Sequence, residues 1–169
     1  MMELKKYTRL SLLLALSIVL NIIESFIPFF NIPGVKLGLA NIISLFVIIK
    51  YGLKDALYLG VLRVLLVGML RIGIFSTTFF FSLSGMVLST IMMYIGNKIF
   101  RLSVIGVSIL GSLSHSIGQI FIAIILLNND SIIYYLPYLL IFSIPTGIIT
   151  GIICKQIIKF YDENLNNEI

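Results

Sequence analysis

Six polar side chains interrupt stretches of sequence that are otherwise strongly apolar, and they are the groups with which this chain could do chemistry. They are Asn21, Glu24, Asn41, Arg63, His115 and Gln119. A carboxylate, a guanidinium and an imidazole can hold charged groups or exchange protons, and the amides can donate and accept hydrogen bonds. What they do depends on their surroundings, because an ionisable side chain in a lipid bilayer costs roughly 2.5–3.5 kcal/mol and therefore indicates a function.

The composition indicates that these surroundings are a membrane. Of the 169 residues, 59% are hydrophobic and only 11% are charged, whereas a soluble domain carries about 25% charged residues. We therefore expect residues 1–169 to form a single integral membrane domain. The one cysteine, Cys154, excludes a disulfide within the chain and a metal site made of several cysteines.

Six apolar segments predict an all-α bundle of six transmembrane helices in a multi-pass membrane protein. They cover about 10–28, 35–49, 56–70, 75–95, 104–127 and 132–153, and residues 162–169 form a polar tail. The second and third segments are short for a membrane span. The first is interpreted as a retained helix rather than a signal peptide, because the apolar run continues as far as Pro28.

The basic residues predict the orientation of the bundle. If the chain starts inside the cell, nine of them fall in inner segments and two, Lys36 and Arg71, in outer segments. Loops on the cytoplasmic side are enriched in Lys and Arg, so we expect both termini in the cytoplasm and the protein in the cell membrane. The net charge of +5 thus follows from topology and does not indicate a nucleic-acid partner.

The polar residues recur at helical spacing, which places them on single helix faces. The stripes are Ser17, Asn21 and Glu24; Gly34, Gly38 and Asn41; Thr78, Ser82, Gly85 and Ser89; and Ser108, Ser112, His115 and Gln119. A polar stripe in lipid is expected to face other helices or a cavity. At about 1.5 Å per residue, most of the six candidates lie roughly 6–12 Å below the outer surface, with His115 deeper. The sequence therefore predicts a polar pocket that opens outward.

Structural roles remain open for the same residues. Glu24 and Arg63 can form a buried ion pair that joins two helices. His115 can bond a nearby serine, and Asn41 and Gln119 can hold helices together. The phenylalanine-rich stretch 75–81 is interpreted as facing lipid, or alternatively as a surface on which a planar ligand stacks.

The pattern does not favour catalysis. His115 has no acid or cysteine at a spacing typical of a catalytic triad, and no cluster of ligands predicts a metal ion. The chain has no P-loop, so we do not expect it to hydrolyse ATP. We expect a protein that is not an enzyme and has no cofactor.

Five short motifs occur in an order that resembles a known family. They are ESFIP (24–28), KLGLANI (36–42), LRVLLVG (62–68), FSLSGM (81–86) and SHSIGQ (114–119). Over about residues 10–150 the chain resembles the bacterial "Gx transporter" family, also labelled heptaprenyl diphosphate synthase component I. That family is in turn similar to the S-components of energy-coupling factor (ECF) transporters, which bind a vitamin or similar solute near the outer face.

The resemblance to S-components implies partners and a docking site. Such proteins associate with a transmembrane T-component and two ATPases through small residues spaced by four on the first helix. Ser11 and Ala15 match that spacing, whereas Val19 does not. In this interpretation the six polar residues bind a solute of the vitamin, flavin or quinone-precursor class. Arg63 holds an anionic group of the solute, and Glu24 balances the charge of Arg63 when the pocket is empty.

The other family label implies a different role. Prenyl diphosphate synthases hold magnesium and diphosphate with aspartate-rich motifs, which this chain lacks. Under that label the protein is a non-catalytic accessory of prenyl diphosphate or menaquinone metabolism. A third hypothesis is a proton-coupled carrier that uses His115, since imidazole titrates near physiological pH.

Overall fold

Apolar helices make up nearly all of the described chain. The computed structural model describes residues 2–26 and 37–167. Its helices are α1 (Met2–Phe26), α2 (Leu39–Lys50), α3 (Leu53–Val67), α4 (Thr77–Lys98), α5 (Val104–Leu127) and α6 (Leu136–Asn167). A π-helical turn at Gly68–Ile72 continues α3, and a 3₁₀ turn at Asp130–Tyr135 precedes α6. The predicted all-α class is confirmed, and each predicted span corresponds to one helix.

Four helices are long and apolar enough to cross a membrane within the residues described. They are Leu4–Phe26, Thr77–Lys98, Val104–Leu127 and Asp130–Glu163. This is a membrane-embedded, multi-pass protein. Helix α2 has 12 residues, about 18 Å of helix against a hydrocarbon core about 30 Å thick. Membrane crossing by α2 and α3, and the orientation of the bundle, therefore stay predictions.

Helix α2 lies at the centre of the bundle and contacts each of the other five helices. All residues from Ile42 to Ile48 are buried, because α2 is apolar on every side and so needs neighbours on every side. Leu59 of α3, Met93 of α4, Val107 of α5 and Cys154 of α6 complete this core. The position of this short helix is thus determined by its packing against the other helices, since it is too short to span the hydrocarbon core by itself.

Glycines let α4, α5 and α6 approach one another closely. A Cβ atom on Gly118 of α5 would lie 2.9 Å from the carbonyl oxygen of Ser84 in α4. A Cβ atom on Gly151 of α6 would lie 2.8 Å from the Cα atom of Ile105 in α5. Small residues at helix contacts are typical of membrane proteins, where tight van der Waals packing replaces the hydrophobic effect as the driving force.

Polar contacts join the start of α1, the end of α2 and the end of α6. Arg9 Nη1 donates a hydrogen bond to the Tyr161 hydroxyl over 3.1 Å, and Lys50 Nζ lies 2.6 Å from Asp162 Oδ1. Burial raises the pKa of the Tyr51 hydroxyl to about 12, and this hydroxyl lies 3.4 Å from that of Tyr161. The start of α1 and the end of α6 therefore lie at the same end of the bundle.

Helix α6 extends beyond the end predicted for the sixth span. Helix α6 continues past residue 153 and through the predicted polar tail as far as Asn167, where Asp162 joins the contacts just described. The predicted ends of the first two spans, at residues 28 and 35, lie outside the described residues, as do Gly34 of the second stripe and residues 168–169.

Candidate functional site

A polar pocket lies at the opposite end of the bundle from the Tyr161 contacts. It is formed where the end of α1, the start of α2 and the end of α3 meet α4, the middle of α5 and the first half of α6. The cavity at its base has a volume of about 70 Å³. Five of the six sequence-predicted residues line it: Asn21, Glu24, Asn41, Arg63 and His115.

Arg63 is the most deeply buried charge of the pocket, with 3% of its surface exposed. Its Nη1 atom donates to the carbonyl oxygen of Ala40 over 2.7 Å and to Ser44 Oγ over 3.4 Å, both in α2. Its Nε atom is buried and has no hydrogen-bond partner among the described residues. A guanidinium carries five N–H donors, so only part of its capacity is used within the protein.

Glu24 holds the start of α2 from the other side. Its carboxylate accepts a hydrogen bond from the backbone N–H of Gly38, the residue before the first turn of α2. Gly38 has a φ of 79°, in the left-handed region, and no side chain to cap the helix, so Glu24 supplies the negative charge that a helix start favours. The charges of Glu24 and Arg63 also interact electrostatically.

His115 forms part of the wall between α4 and α5. A Cβ atom on Gly85 would lie 2.9 Å from the Cε1 and Nε2 atoms of the imidazole. The ring therefore occupies the space that a side chain at position 85 would need. This contact gives the Gly85 position of the fourth-helix stripe a packing role next to the pocket.

Hydroxyl groups of α5 and α6 also line the pocket. Ser116 and Ser143 lie 2.6 Å apart at their Oγ atoms, and Ser143 also donates to the carbonyl oxygen of Leu139 over 2.7 Å. Thr146 Oγ1 donates to the carbonyl oxygens of Phe142 and Ser143, each over 3.1 Å. These hydroxyls direct their hydrogens into the protein.

Comparison with known proteins places the chain in a family. The family model described as heptaprenyl diphosphate synthase component I matches residues 13–157. The chain belongs to this family. No curated protein and no solved structure matches the chain.

The matched region of this component I family member includes the whole pocket from Asn21 to Thr146. The family description names one component of a synthase, which implies partner subunits. It does not identify them.

Gln119 is the sequence-predicted site residue that does not line the pocket of this component I family member. It is half-buried and lies on the same face of α5 as Ser112 and His115, one turn nearer the end of the helix. Periodicity places Gln119 on the same helix face as His115, but it does not determine how far along the helix the pocket extends.

The contribution of α6 was not predicted. Ser143, Thr146 and Thr150 follow an i, i+3, i+7 spacing, which places them on one helix face as the i, i+4, i+7 spacing does in the other stripes, and Ser143 and Thr146 line the pocket. That spacing is the signal that could have identified them. Phe79 also lines the pocket and is buried, whereas Phe75 in the same phenylalanine-rich stretch is 77% exposed, so the stretch divides between the interior and the surface.

The predicted docking residues Ser11 and Ala15 lie on the exposed side of α1. Val19, which continues their spacing, is 51% exposed. This side of α1 packs against no other described part of the chain, and either lipid or a partner helix can cover it.

Proposed function

We propose that this protein is the membrane-embedded substrate-binding subunit of an ECF-type transporter in the cell membrane. In this role it binds a small solute of the vitamin, flavin or quinone-precursor class in the pocket. The observation that carries the proposal is that two buried charges, Arg63 and Glu24, line one pocket with amides and hydroxyls. Charges are expensive to bury in a membrane protein, and they occur mainly where a substrate or ion must be bound.

The proposal assigns the energy for transport to other subunits. A T-component would dock on the exposed side of α1 that carries Ser11 and Ala15, and ATPases attached to it would drive movement. The protein itself would hold the solute without changing it covalently.

A second candidate function is supported by the family description. As one component of a heptaprenyl diphosphate synthase, the protein would be a membrane accessory that supports a partner enzyme. The pocket would then bind a regulator or a product of that enzyme, and loss of the protein would reduce enzyme assembly rather than solute uptake.

Solute binding by the purified protein tests the leading proposal. We expect a member of a panel of vitamins, flavins and quinone precursors to raise the thermal midpoint of the protein in detergent, because a ligand that binds the folded state stabilises it. Asn41→Ala, in the pocket, should weaken that binding by up to about tenfold. Asn97→Ala, which lies in α4 away from the pocket lining, is the matched control and should bind normally.

Partner capture separates the two candidates. The transporter role predicts that a T-component and ATPases copurify with the tagged protein and that its deletion abolishes uptake of the bound solute. Copurification of a prenyl synthase with normal uptake would favour the accessory role. If no solute of the panel binds and no T-component copurifies, the leading proposal is rejected.

A further inference from the structure

The guanidinium of Arg63 has one edge that no described residue bonds. Both hydrogen bonds that Arg63 makes to described residues come from Nη1. Among the described residues, Nε is buried without a hydrogen-bond partner, and Nη2 donates to none of them. The Nε and Nη2 donors point in parallel along one edge, the geometry that takes the two oxygens of a carboxylate or a phosphate. A buried arginine with this edge unfilled is an incomplete anion site.

A second feature of the same corner favours an anion. The start of α2 carries partial positive charge, and Gly38 offers it no side-chain cap. The group now on the Gly38 N–H is the carboxylate of Glu24, which belongs to α1 rather than to α2. Glu24 thus occupies, from another helix, the position that a ligand anion would take.

The hydroxyl groups of α5 and α6 that line the pocket offer acceptors, whereas Arg63 offers donors. A hydroxyl has one hydrogen and two lone pairs. Ser143 gives its hydrogen to the Leu139 carbonyl, so in the Ser116–Ser143 bond Ser116 is the donor. Thr146 gives its hydrogen to the carbonyls of its own helix. Ser116 and Thr146 therefore have only acceptor capacity left for a ligand.

Together these features specify a ligand that carries an anionic group and, separately, groups that donate hydrogen bonds. We propose that the pocket binds a small anion whose carboxylate or phosphate takes the Nε–Nη2 edge of Arg63 and displaces Glu24 from Gly38, while its hydroxyl or N–H groups donate to Ser116 and Thr146. This inference rests on the proposed solute-binding role of the pocket. It adds the edge of Arg63 that the anionic group takes, the orientation of the solute, and the role of Glu24 as an internal substitute for that anionic group.

Paired solutes that differ in their anionic group test the charge. The pairs are pantothenate with panthenol, biotin with biotinamide, and riboflavin 5′-phosphate with riboflavin, each titrated against the full-length protein in lipid nanodiscs. We expect the anionic member of a binding pair to bind at least about tenfold more tightly than its neutral partner. Equal or tighter binding of the neutral member would overturn the inference and leave the solute-binding role intact. Binding of neither member in any pair would reject the inference for these solutes, and the solute-binding role is rejected as well if the wider panel also fails to bind and no T-component copurifies.

Variants of the charged corner test the role of Glu24. Glu24→Gln keeps an oxygen that can accept from Gly38 but removes the competing charge, so we expect binding of the anion to tighten by about tenfold. Arg63→Lys keeps the charge but loses the paired donors, and binding should weaken by about tenfold or more. Weaker anion binding in Glu24→Gln would mean that Glu24 contacts the ligand directly. That result would contradict the proposal that the anion displaces Glu24 from Gly38.

A matched pair of threonine variants tests the acceptor wall. Thr146→Val keeps the shape of the side chain and removes the acceptor in the pocket, so affinity should fall by about tenfold. Thr150→Val makes the same change one turn along α6, where the hydroxyl lies 2.8 Å from Ser108 and does not line the pocket. Affinity should be unchanged in Thr150→Val, and an equal loss in both variants would contradict the proposed orientation.

Discussion

At the scale of the residue, His115 and Gly85 show how the pocket is shaped by the absence of a side chain. The imidazole fills the space beside Gly85, so the position of a pocket residue on α5 depends on a glycine of α4. Arg63 is held by a group that is present rather than by a space, because it donates a hydrogen bond to a backbone carbonyl of α2. In both cases a neighbouring helix fixes the side chain.

Gly85→Ala tests the contact with His115. The added methyl group would lie 2.9 Å from the ring, so the imidazole or the helices must shift. We expect a loss of about 1–3 kcal/mol in the free energy of unfolding, measured by denaturation in mixed detergent micelles. Thr78→Ala, at an exposed position of the same helix, should change stability by less than about 0.5 kcal/mol. Equal stability of Gly85→Ala and the wild type would contradict the close contact.

Residue spacing predicted much of the pocket but not the contacts within it. The 3.6-residue period of a helix placed Asn21, Glu24 and His115 on inward faces, because a polar group in lipid has few alternatives. The bond from Arg63 to the Ala40 carbonyl depends on how α2 and α3 pack, which periodicity does not contain.

At the scale of the element, the contacts between α4, α5 and α6, here called seams, require the helix backbones to lie close together. Gly147 and Gly151 of α6 lie against Ile109 and Ile105 of α5, and the Ser116–Ser143 bond crosses the same seam. The sequence predicted the existence of these helices from their length and apolarity. It did not predict α2 as the central helix, because the single stripe that contains Asn41 does not determine which helices pack against the apolar sides of α2.

Gly151→Ala tests the α5–α6 seam. A methyl group would lie 2.8 Å from the Cα atom of Ile105, and backbone cannot move aside as a flexible side chain can. We expect unfolding to become easier by about 1–3 kcal/mol. The control is Ile152→Ala, the next residue along α6, whose side chain is 43% exposed and should matter less. A smaller effect for Gly151→Ala than for the control would show that the seam is looser than described.

Asp162→Asn tests the junction between α2 and α6. The Lys50–Asp162 pair is partly exposed, with 22% and 48% of the side chains accessible, and exposed pairs contribute about 0.2–1 kcal/mol. We expect a loss within that range that shrinks at high salt, because salt screens exposed charges. Glu163→Gln, which removes the exposed pair with Lys159, is the control and should have a smaller effect. A salt-independent loss would point to packing instead of charge.

At the scale of the whole molecule, the bundle has two chemically distinct ends. One end joins the start of α1 to the end of α6 through Arg9 and Tyr161. The other contains the pocket. The positive-inside rule assigns the first end to the cytoplasm, which would make the pocket accessible from outside the cell.

Thiol labelling of intact cells tests that orientation. The native Cys154 is fully buried and should give little background. A membrane-impermeant maleimide should label Ser131→Cys, at the exposed 3₁₀ turn on the pocket side, and should not label Phe100→Cys, in the exposed α4–α5 connection at the other end. Labelling of Phe100→Cys alone would reverse the orientation and direct the pocket to the cytoplasm.

The central claim is that the pocket binds a small anion through Arg63. Native mass spectrometry of the purified protein, followed by identification of any molecule released on denaturation, tests it most directly. We predict that the wild type and Glu24→Gln retain an anionic solute and that Arg63→Lys retains at least about tenfold less of it. Retention of the same solute at the same occupancy by the wild type and by Arg63→Lys, or retention of a neutral molecule, would contradict the account.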